Sequence, residues 1–214
     1  MRTPLSLATA IACGACGSST PPAPTPPVVI APAAPGALLG PDAFAAIADP
    51  TTRSAAMFTE LGRVLLSPRC VNCHPADDSP RQGDASLRHD PPVTRGPDDR
   101  GVPGMECATC HQDRNLDHAR VPGAPGWHLA PISMAWQGRR LDEICAQLKD
   151  PAKNGGKDLA ALQVHIASDP LVGWAWEPGA DRVPAPGTQR ELGALAQAWI
   201  DTGAACPPAP EVTP

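Results

Sequence analysis

A mostly α, loop-rich domain of short helices is the fold class this sequence predicts. Three observations predict it. Four segments carry apolar residues at helical spacing, and no run alternates apolar and polar residues as a half-buried strand would. The third is the abundance of turn formers, since 29 prolines and 19 glycines among 214 residues reserve much of the backbone for turns and irregular loop.

The elements follow in chain order. Residues 1–20, "MRTPLSLATAIACGACGSST", place one arginine ahead of a short apolar run that ends in small residues and cysteine, the pattern of an export signal. Cys16 or Cys13 sits where a bacterial lipoprotein signal would be lipidated, and an ordinary cleaved signal peptide is the simpler alternative. A Pro-rich linker is expected over 21–40. Its first fifteen residues hold seven prolines, which at ~3.1 Å per residue make a semi-rigid spacer of roughly 45 Å. The domain proper is expected over 41–207, with a frayed tail at 208–214.

Within the domain, residues 51–66 set Met57, Leu61, Val64 and Leu65 on one helical stripe. The span 75–104 is mostly Asp, Pro, Arg and Gly, a loop long enough to need a ligand or a function to order it. Helices are expected again at 139–149 (Leu141, Ile144, Cys145, Leu148), at 157–167 (Leu159, Leu162, Ile166) and at 189–201 (Leu192, Leu195, Ala196, Trp199). Thr188 and Glu191 form a capping box for the last of these. No stretch of the mature chain reaches the ~20 apolar residues of a membrane-spanning helix. A soluble or lipid-tethered periplasmic protein is therefore expected.

Composition limits the function. A net charge of -5 offers no basic surface for nucleic acid. Five Trp, two Phe and no Tyr are a thin aromatic supply for a core, and chains so poor in bulk often lean on disulfides or a bound group. Without such a group the chain is expected to be largely unfolded. Eight cysteines and six histidines could supply the anchors.

Six of these residues form a repeated pentapeptide. "CVNCH" places Cys70, Cys73 and His74, and "CATCH" repeats the spacing at Cys107, Cys110 and His111. Zinc sites want four closed ligands, usually as two well-separated pairs. Redox dithiols use Cys-x-x-Cys but have no need of the adjacent histidine. Covalent haem attachment uses every position: two thiols on one helical turn meet the two vinyl groups, and the next residue falls beneath the iron as proximal ligand. Two copies in an exported chain make two haem c groups the expected cofactors, with His74 and His111 as proximal ligands. The fold class then sharpens to a dihaem cytochrome c domain whose short helices pack around two covalent haems.

Second axial ligands are ranked His165, His128, Met134 and His89. His165 flanks the 157–167 stripe, and His128 and Met134 share "GWHLAPISMAW", which reads as the wall of a haem crevice. His89 lies in the loop between the two motifs. Met57 reads as core, Met105 as lining beside Cys107, and His118 as solvated. Cys145 on a core-facing stripe and Cys206 just past the last helix are the leftover cysteines, and an oxidising compartment favours a disulfide between them over two free thiols. The acidic pairs Asp77–Asp78 and Asp98–Asp99 read as solvated loop faces, not as catalytic groups.

The runs "RCVNCHPADD", "PPVTRGPDDRGVPGMECATCHQD", "PGWHLAPISMAWQGR", "LKDPAKNGGKDL", "DPLVGWAWEPGA" and "AWIDTGAACP" resemble a bacterial family of small dihaem c-type cytochromes, often labelled isoquinoline 1-oxidoreductase subunits. The resemblance spans residues 50–207. It implies a c-type electron carrier working with a molybdenum hydroxylase of the xanthine oxidase type, which would carry out any substrate hydroxylation. The family pattern has counterparts of His89, His128, Met134, His165, Cys145 and Cys206. Electron transfer to such a hydroxylase or to a respiratory partner is thus the expected function. The alternative is a peroxidase-like dihaem oxidoreductase with one open iron.

Overall fold

The computed structural model describes residue 28 and residues 30–210. The export signal, the lipidation candidates Cys13 and Cys16, and residues 21–27 and 29 of the Pro-rich linker lie outside the described residues. Chain direction reverses several times around a core built mainly by four helices. Helix α1 (Pro50–Leu65) starts where Asp49 accepts a hydrogen bond from the Thr52 amide and Pro50 pre-sets φ for the first turn. Its Met57, Phe58, Leu61, Val64 and Leu65 are all buried, as the stripe predicts. After Leu66 and Ser67, Pro68 opens the short helix α2 (Pro68–Val71), which leads into the first cysteine motif.

Two-residue strands make up what sheet there is. Strands β1 (Arg81–Gln82) and β2 (Leu87–Arg88) pair antiparallel, as do β3 (Gly101–Val102) and β4 (Met105–Glu106). The second hairpin runs straight into α3 (Cys107–Cys110), which buries none of its side chains. Three further helices carry core residues: α4 (Leu141–Leu148), α5 (Leu159–Ser168) and α7 (Gln189–Asp201), with the short α6 (Pro170–Gly173) between the last two. Among the described residues the chain is therefore mostly α, with short helices and much loop.

Helix α7 closes the bundle. Thr188 Oγ1 accepts from the Glu191 amide, which caps the first turn, while Glu191 Oε2 accepts back from the Thr188 hydroxyl. Phe58 and Trp199 meet with ring centroids 5.0 Å apart, and Ser54 donates to the Trp199 carbonyl from a fully buried position. Where α7 crosses α5, a Cβ on Gly193 would stand 2.6 Å from that of Ala167, so only glycine allows the two helices this close. Cys145 on α4 and Cys206 beyond α7 are joined by a disulfide. The aliphatic side chains of these helices, with Phe44, Phe58, Trp136 and Trp199, form one apolar cluster. Each fully buried Leu, Ile or Phe there contributes about 1.5–3 kcal/mol. The thin aromatic supply is thus offset by leucine, isoleucine and valine, and the helical core is built from the chain's own side chains.

Two expectations need correction. The linker does not run free to residue 40: Leu38 and Leu39 pack on the core, the Leu39 amide donates to Glu60, and Arg63 donates to the Ala37 carbonyl. Nor are the acidic pairs of the 75–104 loop solvated throughout: Asp78 and Asp98 are exposed as expected, whereas Asp77 and Asp99 are partly buried. Arg95, 6% exposed, sits at the centre of that loop and reaches Asp78 and Asp99 as ion pairs and the Ala130 and Asp77 carbonyls as a donor. Asp77 in turn holds Arg81 and Arg88. A buried guanidinium needs this many partners to offset its desolvation, so it gathers the loop around itself.

Candidate cofactor sites

The first motif begins within α2 at Cys70 and continues through the turn after it, with the His74 amide donating to the Cys70 carbonyl. A strap of residues 130–137 lies across it: the Ala130 amide donates to the Cys73 carbonyl and the Trp136 amide to the His74 carbonyl. This strap fixes the imidazole on two sides. His74 Nδ1 donates to the Met134 carbonyl over 2.7 Å, and Trp136 stacks on the ring at 3.5 Å with planes 8° apart. A carbonyl only accepts, so Nδ1 holds the proton and Nε2 keeps its lone pair. Burial pushes the His74 pKa down to about 4, against the opposing pull of the Met134 carbonyl, which keeps the ring neutral.

The second motif repeats this design with different material. The His111 amide donates to the Cys107 carbonyl, His111 Nδ1 donates to the Pro122 carbonyl over 2.7 Å, and Trp127 stacks on the ring at 4.7 Å and 7°. Burial lowers the His111 pKa as well. Trp174 meets Trp127 edge to face at 5.0 Å, which joins the second site to the end of α6.

The ranked histidines divide between the two sites. His165, His128 and Met134 line a cavity of about 140 Å³ together with Cys70, Cys73 and His74. His165 Nδ1 is 3.0 Å from Asp169 Oδ2 and donates to it, so its Nε2 is the free nitrogen. Met134 has already given its carbonyl to His74, which places it on the proximal side of the ring. His89 and His128 line a second cavity of about 290 Å³ with Cys107, Cys110 and His111. The rings of His89 and His111 are 5.8 Å apart at 65°, and His89 Nδ1 is tied to the Pro91 carbonyl. That separation is too wide for direct hydrogen bonding. Both rings border the same cavity, so the two imidazoles could together hold a group bound there. His128, with Nδ1 on the Gly126 carbonyl, borders both cavities. Met57 is buried core, Met105 lines the second cavity, and His118 is exposed.

The surroundings speak against the competing cysteine chemistries. Redox dithiols depend on a depressed thiol pKa. Here burial pushes Cys70 up to about 12 and Cys73 up to about 11, and it raises Cys107 too. Among the described residues no three His, Cys, Asp or Glu side chains converge as a protein-only metal site requires. Two imidazoles and two thiols per site suit a ligand that brings its own in-plane donors, as a porphyrin does.

Sequence reasoning missed the two carbonyl acceptors and the buried arginines. Trp127 and Trp136 were open to it, since they bracket the crevice-wall segment. A third cavity, of about 430 Å³, lies between the two motifs and shares His89, His111 and Trp127 with the second. Arg69, Asn72 and Arg182 line it, along with Cys73. No protein-family model matches the chain, and no curated protein or solved structure matches it either.

Proposed function

We propose that this chain is an electron-carrying subunit that holds two covalent haems, one at Cys70–Cys73–His74 and one at Cys107–Cys110–His111. One observation carries the reading. Each motif histidine, proton fixed on Nδ1, shares a cavity lined by its own cysteines with a second histidine fixed the same way: His165 for the first, His89 for the second. Bound there, haem supplies one-electron iron chemistry whose potential follows its axial ligands and its burial.

The chain's own residues do the rest. The Met134 and Pro122 carbonyls orient the proximal rings and raise their basicity, and the Trp136 and Trp127 stacks hold the ring planes. Asp169 plays the same part for His165. Leu65, Leu162 and Ile166 keep water from the first site, whereas the second is open along Met105 and the exposed Cys110. Because each site offers a second histidine that could serve as distal ligand, relay is favoured over a peroxidase-like oxidoreductase, which would need that position open. The resemblance to small dihaem cytochromes makes a molybdenum hydroxylase or a respiratory protein, outside the cytoplasm, the natural electron partner. Denaturing-gel haem staining and low-temperature EPR of protein matured in a cytochrome c-competent host test this. Two covalent haems, both low-spin and six-coordinate, are expected. A high-spin haem that binds peroxide would favour the enzyme, and absence of covalent haem would end the proposal.

A further inference from the structure

Arg69 is a charge without enough partners. It is 3% exposed, and of its guanidinium nitrogens only Nη2 has a hydrogen bond, to Asp84, while Nε and Nη1 have none. Asp84 itself is half-exposed, so the one carboxylate in contact is shared with solvent. The guanidinium lies 5.7 Å from the centroid of the Trp174 ring, which stabilises a cation but accepts no conventional hydrogen bond. A buried donor left unpaired carries its full desolvation penalty, more when charged, so an anionic partner from outside the chain is the economical explanation.

The same cavity holds a second unneutralised cation. Arg182 donates only to the carbonyls of Pro178, Gly179 and Arg120, and among the described residues no carboxylate lies within ion-pair distance of it. The other two arginines of the lining are spoken for, Arg120 by Asp181 and Arg81 by Asp77. The cavity thus has four arginines against two lining carboxylates, Asp84 on Arg69 and Asp181 on Arg120 with Arg182 nearby, so positive charge is left over.

This cavity adjoins the second candidate site. It meets the Cys107–Cys110 cavity along His89, His111, Pro122 and Trp127, so a flat body bound at that site would extend into both. One edge then lies against the cysteines. The opposite edge lies against the arginines. Haem has this polarity, with vinyl groups on one edge and two propionate carboxylates on the other.

We propose that Arg69 and Arg182 clamp a propionate of the haem attached at Cys107 and Cys110. The inference rests on the dihaem reading above. Arg69 directly precedes Cys70, the first thiol of the other motif, so the clamp fastens the ring of one site to the attachment turn of the other. Arginine suits the task, because its fork binds a carboxylate through two parallel hydrogen bonds. Both residues are positioning residues: they touch the group's periphery and stand away from the iron.

The test uses haem-loaded protein, with the two midpoint potentials separated by spectroelectrochemical titration and the propionate bending bands followed by resonance Raman. Arg182→Gln and Arg69→Gln should each lower the same midpoint and shift a propionate band, with two covalent haems retained. Removing positive charge near the ring favours the oxidised iron. Combined, the two changes should shift the midpoint by less than the sum of the single effects, because they share one carboxylate. Arg69→Lys keeps the charge without the fork and serves if the glutamine variant does not fold; a shifted propionate band with a smaller fall in midpoint is expected. Unmoved midpoints and Raman bands in Arg182→Gln and in either Arg69 variant, with both haems present, would overturn the clamp. So would a change confined to the binding of added acetate, which would assign the arginines to a diffusible carboxylate. A wild-type protein without covalent haem at Cys107 and Cys110 would instead show in the haem count, and marks failure of the underlying reading.

Discussion

Replacing both Cys145 and Cys206 by alanine should cost about 4 kcal/mol. The bridge spans 61 positions, and the entropy recovered by an unfolded chain freed of a loop that long is of this size. Nothing in the folded state should offset it, because the partners are held in place independently. Lys149 donates to the Ala204 carbonyl, the Ala205 amide donates to Ser54, and Trp199 Nε1 donates to the Ala205 carbonyl. Folded geometry should therefore survive, and the loss should fall on the unfolded side of the equilibrium. A urea melt followed by far-UV circular dichroism under non-reducing conditions reads it. With a slope of about 2 kcal/mol per molar for a domain of this size, the midpoint should fall by about 2 M. A fall below about 0.5 M at unchanged slope would refute the reasoning, since it would mean that the bridge does not restrict the unfolded chain.

Cys107→Ser with Cys110→Ser should lower the haem count from two to one while leaving the helical circular dichroism intact, because α3 buries no side chain; loss of the bundle would contradict this. His165→Ala and His89→Ala should each convert one haem from low to high spin by EPR, whereas His128→Ala should leave both low-spin. Arg95→Met removes the buried donor that ties this loop together; because Asp78 and Asp99 keep access to water, the loss should be about 1–3 kcal/mol, read as faster proteolytic cutting within residues 75–104. Gly193→Val overfills the crossing of α5 and α7 and should destabilise by about 1–3 kcal/mol in the same urea melt.

The helical scaffold was legible because its information is local. Leu192, Leu195, Ala196 and Trp199 announce the buried face of α7 by spacing alone, and Thr188 with Glu191 marks its start. The two motifs and the crevice-wall segment were legible for the same reason. What stayed hidden depends on contacts between distant positions. His89 ranked last among the ligands, yet the hairpin β1–β2 and the bond from its amide to the Pro80 carbonyl bring it beside His111, 22 positions away. Arginine has no local pattern that separates a solvated side chain from a buried one, so Arg69 and Arg95 could not be singled out. The ion pairs that Asp78 and Asp99 make with Arg95 stayed hidden for the same reason. Nor could spacing reveal that Met134 contributes its carbonyl to His74 while its thioether stays in the core.

The hydrogen bond from Ser54 to the Trp199 carbonyl joins positions 145 apart, and it sets an order on how the molecule is made. A chain emerging N-terminus first presents residues 70–111 long before residues 189–206 appear. Until α7 arrives, α1 and α5 lack the helix they both pack against most extensively, and Cys145 has no Cys206. The four motif thiols thus pass through a stage in which they lie on an open chain within reach of a modifying enzyme. The last helix and its bridge are then what closes the helical core.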